Sequence, residues 1–389
     1  MKKQHVDKMN TMMEEKVEEI AKEFGTNITL EIIAYEDFPQ KWAAGIESGA
    51  VPDASFMSYA EVGMYQKDGL LVDANDVVNE LQEEYGSMYQ NIMDPVTFDG
   101  KLYMIPMWTE SQILYYRTDI IDSPPKTWEE FREIAKKVSD PSKGFYGAGI
   151  GFGKGNSDAE WLTRAMLWSN GAYLVDENGK AAINSKEAKQ VAQMIYEMYT
   201  VDKSIPPSAS NWDDAGNNPA YISGQVAMIF NTGSVINVLK NEHPDLYEKT
   251  ALAPFPSGPN GQFVPGLNNG LVIFKNAQNP EGAKLVVKEL MEIEWYSKWL
   301  EEGAPLCLPI YEEVGKTGIW TEPKVNKPFV DQIPAFKFIG LPQKYNSKAG
   351  EVYNLRIVND TFQKILSGSD TIDAALQWAE QEINKVYSK

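Results

Sequence analysis

Residues 100–131 (GKLYMIPMWTESQILYYRTDIIDSPPKTWEEF) constrain the fold more tightly than any other stretch of the chain. An apolar run at 102–106 leads to an aromatic, Trp108, and a carboxylate, Glu110, and a second strand-like run follows at 113–116. Pro124 and Pro125 then impose a stiff exit. Thr127 with Glu130 three residues later has the spacing of a capping box, in which the two side chains satisfy the first backbone N–H groups of a helix. Two strands closing into a capped helix predict a mixed α/β arrangement. Polar and aromatic side chains displayed between strands fit either a surface loop or the wall of a ligand cleft where the chain crosses between domains.

The N-terminal third repeats that alternation. Apolar residues at Val6, Met9, Met13, Val17, Ile20 and Phe24 fall on one helical face, and Gly25 ends it. Ile28, Leu30 and Ile32 alternate as a strand. Pro39 opens a helix carrying Trp42 and Ile46, 54–57 reads as a strand, and a helix spans 61–67. Helix, strand, helix, strand, helix is the pattern of a sheet with helices on its faces. At 389 residues the chain is too long for one core, so two domains are expected.

Composition narrows the function classes. Against 36 Lys and Arg stand 55 Asp and Glu, a net charge of −19, which disfavours binding to nucleic-acid phosphates. No run of about 18 apolar residues offers a bilayer span, and Met1-Lys2-Lys3 leads into polar residues rather than a secretory core. The single cysteine, Cys307, excludes an internal disulfide, and its apolar neighbours predict a packed thiol. With only His5 and His243, a nucleophilic triad lacks its base, and Gly155-Asn156-Ser157-Asp158-Ala159 lacks the closing glycine of GxSxG. The glycines at 147, 149, 151, 153 and 155 fit no phosphate-binding register. They predict a strand and loop that other backbone, or a ligand, approaches closely. The turn at 176–180 lacks the acid spacing of a calcium loop. No cofactor and no metal is expected.

Further along, Ser157 with Glu160 predicts a capped helix carrying Trp161, Ala165 and Trp168, and 184–187 predicts another with Val191, Ile195, Met198 and Tyr199 inward. Residues 204–220 read as a long polar loop with Trp212. A buried strand is expected at 226–230, a loop at 254–270, a strand at 271–274, one helix at 281–300, and two closing helices at 354–366 and 371–386.

Four motifs in order carry a resemblance. Asp122-Ser123-Pro124-Pro125-Lys126-Thr127-Trp128-Glu129-Glu130 stands after the strand–carboxylate–strand unit. Val51-Pro52-Asp53 runs through to Gly69-Leu70-Leu71. Ala220-Tyr221-Ile222-Ser223-Gly224-Gln225-Val226-Ala227-Met228 comes third, and Ser367-Gly368 through Asp373-Ala374-Ala375-Leu376 closes the set. Together they resemble the extracellular solute-binding proteins of ABC importers, family 1, the group that includes maltose-binding protein. The resemblance implies a two-lobe periplasmic-binding-protein type II fold with a hinge and an interlobe cleft. The lobes are expected at 1–108 plus 262–312 and at 109–261 plus 313–389. It also implies a non-catalytic, monomeric, extracytoplasmic protein, periplasmic or lipid-anchored, that captures a sugar, oligosaccharide or polyol and delivers it to membrane permease subunits. A polyamine, phosphodiester or ferric-iron receptor and a carbohydrate hydrolase are the alternatives. Iron would want a tyrosine cluster, and Tyr115 and Tyr116 alternate faces on a strand. The family begins with a strand before its first helix; here the first recognisable element is the helix at 6–24, so that strand and a signal segment are expected to be absent.

Sugar recognition needs aromatic rings for apolar faces and Asp, Glu, Asn or Arg for hydroxyls. By place in the family, the expected contacts are Tyr59, Trp108, Glu110, Asp158, Trp161, Trp212, Asn231, Ser234, Asn268, Asn269, Tyr353 and Arg356. Ala60-Glu61 stands where the maltose binders carry an Asp-Arg pair, and Ser234 where they carry a stacking tryptophan. Maltose held in the family's usual way is therefore not expected.

Overall fold

A computed structural model describes residues 1–388, the side chain of Glu36 excepted. The chain forms two compact units, one of Met1–Glu110 with Leu267–Val330 and one of Ser111–Gly266 with the residues from Asp331 on. The chain passes from one to the other within the strand Ile105–Ser111, within the strand Val264–Ile273, and at the end of the helix Asn326–Asp331. The expected lobe boundaries lay at 108/109, 261/262 and 312/313, so residues 313–330 belong with the first unit rather than the second.

In the first unit, Ala54–Ser58 runs antiparallel to Val264–Ile273, from Ala54 opposite Ile273 to Ser58 opposite Asn269, and Ile105–Ser111 pairs with the same long strand. That strand begins at Val264, earlier than the expected 271, and Pro265, Gly266, Asn268, Asn269 and Gly270, all loop formers by type, lie inside it. Gly270 is required there: a Cβ would stand 2.2 Å from the Ile105 carbonyl oxygen. The core is aromatic. Phe56 stacks on Trp108 (centroids 5.6 Å apart), Trp108 meets Trp299 edge-on, and Phe38 packs on Phe56 and Trp42.

Helix Asp7–Glu23 buries Met9, Met13, Val17 and Ile20 as its spacing predicts, whereas Phe24 is exposed and Val6 precedes the helix. Ile28, Leu30 and Ile32 do alternate with exposed neighbours, but no ladder forms on them. The pairing shifts to Ile33, whose N–H donates to Met1 O and whose carbonyl accepts from Lys3 N, a parallel bridge. Among the described residues no strand precedes the first helix; the residues ahead of it make only this isolated bridge. The helix expected at 281–300 is two, Pro280–Leu290 and Ile293–Glu302, because the Glu292 carboxylate accepts from Glu294 N and Trp295 N and starts a new cap. Cys307 is buried, and burial pushes its thiol well above the usual range.

The second unit has a four-stranded sheet in the order Tyr146–Gly149, Val226–Asn231, Ile113–Arg117, Thr250–Ala253, with only the first pair parallel. Helix Trp128–Val138 seats its backbone directly on the glycine-rich strand, where a Cβ on Gly147 would stand 2.1 Å from Ala135 O. The glycine run thus serves backbone packing. Thr127 Oγ1 accepts from Glu130 N at 3.1 Å as the capping box predicts, while the Glu130 carboxylate reaches back one residue further, to Lys126 N. The remaining helices, among them Ser157–Ser169, Ser347–Asn354, Ile357–Leu366 and Ile372–Tyr387, cover this sheet's unit. The polar segment 204–220 contains two short helical turns, Pro207–Asn211 and Asn217–Ile222. Among the described residues no helix is long and apolar enough to cross a membrane.

Candidate functional site

In the first unit the strand Ile105–Ser111 places Glu110 at its end, and three cationic or N–H groups converge on one carboxylate oxygen. Trp108 Nε1 donates to Glu110 Oε1 at 2.8 Å, Asn269 Nδ2 donates to it at 3.0 Å, and Lys2 Nζ lies 3.6 Å away. Trp108 and Glu110 are two apart on a strand, so their side chains leave on one face, which is what brings the indole N–H to the carboxylate. Glu110 is 12% exposed. Trp108 has no exposed surface. Its ring packs on Phe56 and Trp299, and its N–H orients the carboxylate.

Asn268 and Asn269 sit in a strand rather than the expected loop. Asn268 is committed at both ends of its amide, accepting from Thr109 Oγ1 at 2.8 Å and donating to Ile92 O at 2.8 Å, and so ties its strand to a neighbouring strand and to the helical turn Gln90–Met93. Tyr59 opens the helix Tyr59–Lys67 and is fully buried. Glu61, at the position where an acidic-basic pair was compared, is also buried. It accepts from Tyr35 Oη at 2.8 Å and from Ser58 N at 3.0 Å, which fixes the start of that helix.

In the second unit the groups are carried by helices and the residues that flank them. Asn156, not Ser157, caps the helix Ser157–Ser169, its Oδ1 accepting from Ala159 N at 2.8 Å. Ser157 instead donates from its N–H and hydroxyl to the two oxygens of Asp214. Asp158, half-buried beside them, is pushed up to about 7, by burial first and by the Asp214 charge second. Trp161 packs on Tyr353 (centroids 4.9 Å), and the Arg356 guanidinium lies 4.1 Å from the same tyrosine ring. Arg356 also donates to Tyr353 O at 2.8 Å and adopts φ of 53° just ahead of the helix Ile357–Leu366, a strained conformation for a side-chain-bearing residue.

Beneath them Arg164 and Glu160 form a fully buried ion pair at 2.6 Å. The other Glu160 oxygen accepts from Asn359 N at 2.6 Å. Trp212 is half-buried, its carbonyl accepting from Gly153 N and Asn156 Nδ2. Asn231 is buried and used locally, donating to Asn217 Oδ1 and Asn218 Oδ1 and accepting from Thr232 N. Ser234 hydrogen-bonds Thr232 in the same turn. Asp158, Trp161, Tyr353 and Arg356 are thus brought to one helical cluster, while Asn231 and Ser234 organise a turn. Two crevices of this unit, one lined by Arg164, Trp168 and Tyr387 and one by Asn178, Lys180 and Asn384, hold none of the expected residues. Among the described residues no group of three His, Cys, Asp or Glu is placed to hold a metal ion.

Residues 3–295 match the family model described as bacterial extracellular solute-binding protein. The chain belongs to that family. A binding protein of Brucella abortus is 24% identical over 386 residues, covering 96% of this chain and 90% of the relative. Maltose-bound MalE3 of T. maritima superposes with a TM-score of 0.82 at 21% identity, covering 99% of this chain and 98% of that one. A sugar transporter from Arthrobacter chlorophenolicus with bound laminaribiose gives 0.83 at 17% identity, covering 97% and 96%. The fold is accordingly the two-domain α/β architecture of type II solute-binding proteins.

Within that family fold, sequence reasoning missed Lys2 beside Glu110, Tyr35 and Phe56 around the Lys2 ammonium, and Asp214 beside Asp158. Nothing local in the sequence ties Lys2 to a residue more than a hundred positions away.

Proposed function

We propose that this solute-binding protein captures a carbohydrate, whether sugar, oligosaccharide or polyol, and hands it to the membrane permease of an ABC importer outside the cytoplasm, without chemistry on the solute. The observation that carries the reading is the Glu110 carboxylate, pinned through Oε1 by Trp108 and Asn269. A carboxylate held rigidly by two N–H donors is oriented to accept from a solute hydroxyl through its other oxygen, and such a charge-assisted bond is stronger than a neutral one. Asp158, Trp161, Trp212, Tyr353 and Arg356 supply the matching ring edges and polar groups of the second unit. Bound maltose and laminaribiose in two proteins of the same fold support the solute class.

The mechanism is a trap. A solute that touches both units favours their closure by the contacts it gains only in the closed state. Thermal-shift screening against a panel of sugars and polyols tests the reading, because a ligand bound only by the folded state raises the melting point by mass action. One or more panel members should raise it in a concentration-dependent way. A flat panel, or turnover of a glycoside beyond one equivalent, contradicts the proposal.

A further inference from the structure

Glu110 has one partner that solute capture does not require. Lys2 Nζ lies 5.7 Å from the ring centroids of each of Tyr35, Phe56 and Trp108, and 3.6 Å from Glu110 Oε1. Three aromatic rings and a carboxylate around one ammonium are the chemistry that recognises an organic cation: the ring quadrupoles attract the charge and the carboxylate neutralises it. The walls are held independently of the occupant. Phe56 packs on Phe38, the Trp108 indole is fixed on Glu110, and the Tyr35 hydroxyl donates to Glu61. The occupant sits on the short segment that pairs with Ile33 through its backbone.

We propose that Lys2 is a charge-specificity residue. It fills a preformed organic-cation cage, so that the protein takes uncharged solutes and rejects alkylammonium compounds; removal of the Lys2 ammonium turns the cage into a site for a small quaternary ammonium ion. The proposal rests on the Trp108–Glu110 half of the solute site, but not on the solute being a sugar. It also differs from a purely structural role for Lys2, in which loss of the ammonium would leave Glu110 less well neutralised and create no new affinity.

Calorimetric titration with choline and with tetramethylammonium separates these outcomes. The proteins compared are the unaltered chain, Lys2→Ala, Lys2→Arg and the double variant Lys2→Ala/Glu110→Gln, each also titrated with the best sugar of the panel. Lys2→Ala should bind choline at least tenfold more tightly than the unaltered protein. Lys2→Arg, which keeps a cation in the cage, should show no gain, and the double variant should lose it. Lys2→Ser replaces Lys2→Ala if the latter shifts the melting curve. No gain in either small variant overturns the proposal, as does a gain that survives Glu110→Gln. Choline binding by Lys2→Ala in a protein that binds no sugar would remove the carbohydrate reading and leave the cation cage standing.

Discussion

The two units hold their polar groups by different means. In the first, a carboxylate on a strand is fixed by partners from distant strands: Asn269 reaches Glu110 across 159 positions of sequence. In the second, the groups stand on helices and beside their ends and stack on one another, Trp161 on Tyr353 and Arg356 on the same ring, over the buried Arg164–Glu160 pair. A strand-borne site is rigid because its neighbours are the core itself. A helix-borne site depends on a cap, a buried charge pair and a strained residue, each of which one substitution disturbs.

Trp108→Ala should show the difference most strongly. It removes a fully buried indole from between Phe56 and Trp299, and the cavity should cost about 4 kcal/mol in urea unfolding. If the loss is under 1 kcal/mol, the first unit is not the core-anchored half described here. Arg164→Ala should cost about 3 kcal/mol, because it leaves the Glu160 charge buried without its partner; the apolar double replacement Arg164→Met/Glu160→Leu should recover most of that loss. Equal losses in the single and double variants would mean that the pair holds the helices by packing and not by charge.

Asp158 gives the second unit a pH signature. Its folded value, about 7, lies above the ordinary carboxylate range, so the folded state binds the proton more tightly than the unfolded state. Its contribution to stability is complete below about pH 4 and is lost as pH rises through 7. Asp158→Asn should therefore be more stable than the unaltered protein at pH 8, by on the order of 1–2 kcal/mol, and should flatten the stability profile between pH 4 and 8. Parallel profiles for the two proteins would place the Asp158 charge in water.

The same contrast decides what was legible in the sequence. Helix faces and caps are local, so Thr127 and the buried stripe of Asp7–Glu23 could be read directly, and the four ordered motifs pointed to the family. Asn156 displaced Ser157 as cap by one residue because both types cap and only geometry chooses. Asn268 and Asn269 were read as loop because Pro, Gly and Asn crowd that stretch. They are strand interior because Gly270 admits the Ile105 carbonyl, a requirement set by a strand far away in sequence. Trp108 showed its aromatic character but not that its ring packs on Phe56 and Trp299. Lys2 carried no local signal, since an ammonium at a polar chain start is ordinarily solvated. Long-range partners, which build the first unit's site, are what a one-dimensional reading lacks.

The most direct test of the central claim, that the pinned Glu110 carboxylate grips the solute, is calorimetric titration of the best panel carbohydrate into the unaltered protein and into Glu110→Ala. The account predicts at least a tenfold loss of affinity, about 1.4 kcal/mol, in a Glu110→Ala protein that remains folded. An unchanged affinity in a folded Glu110→Ala protein would contradict it.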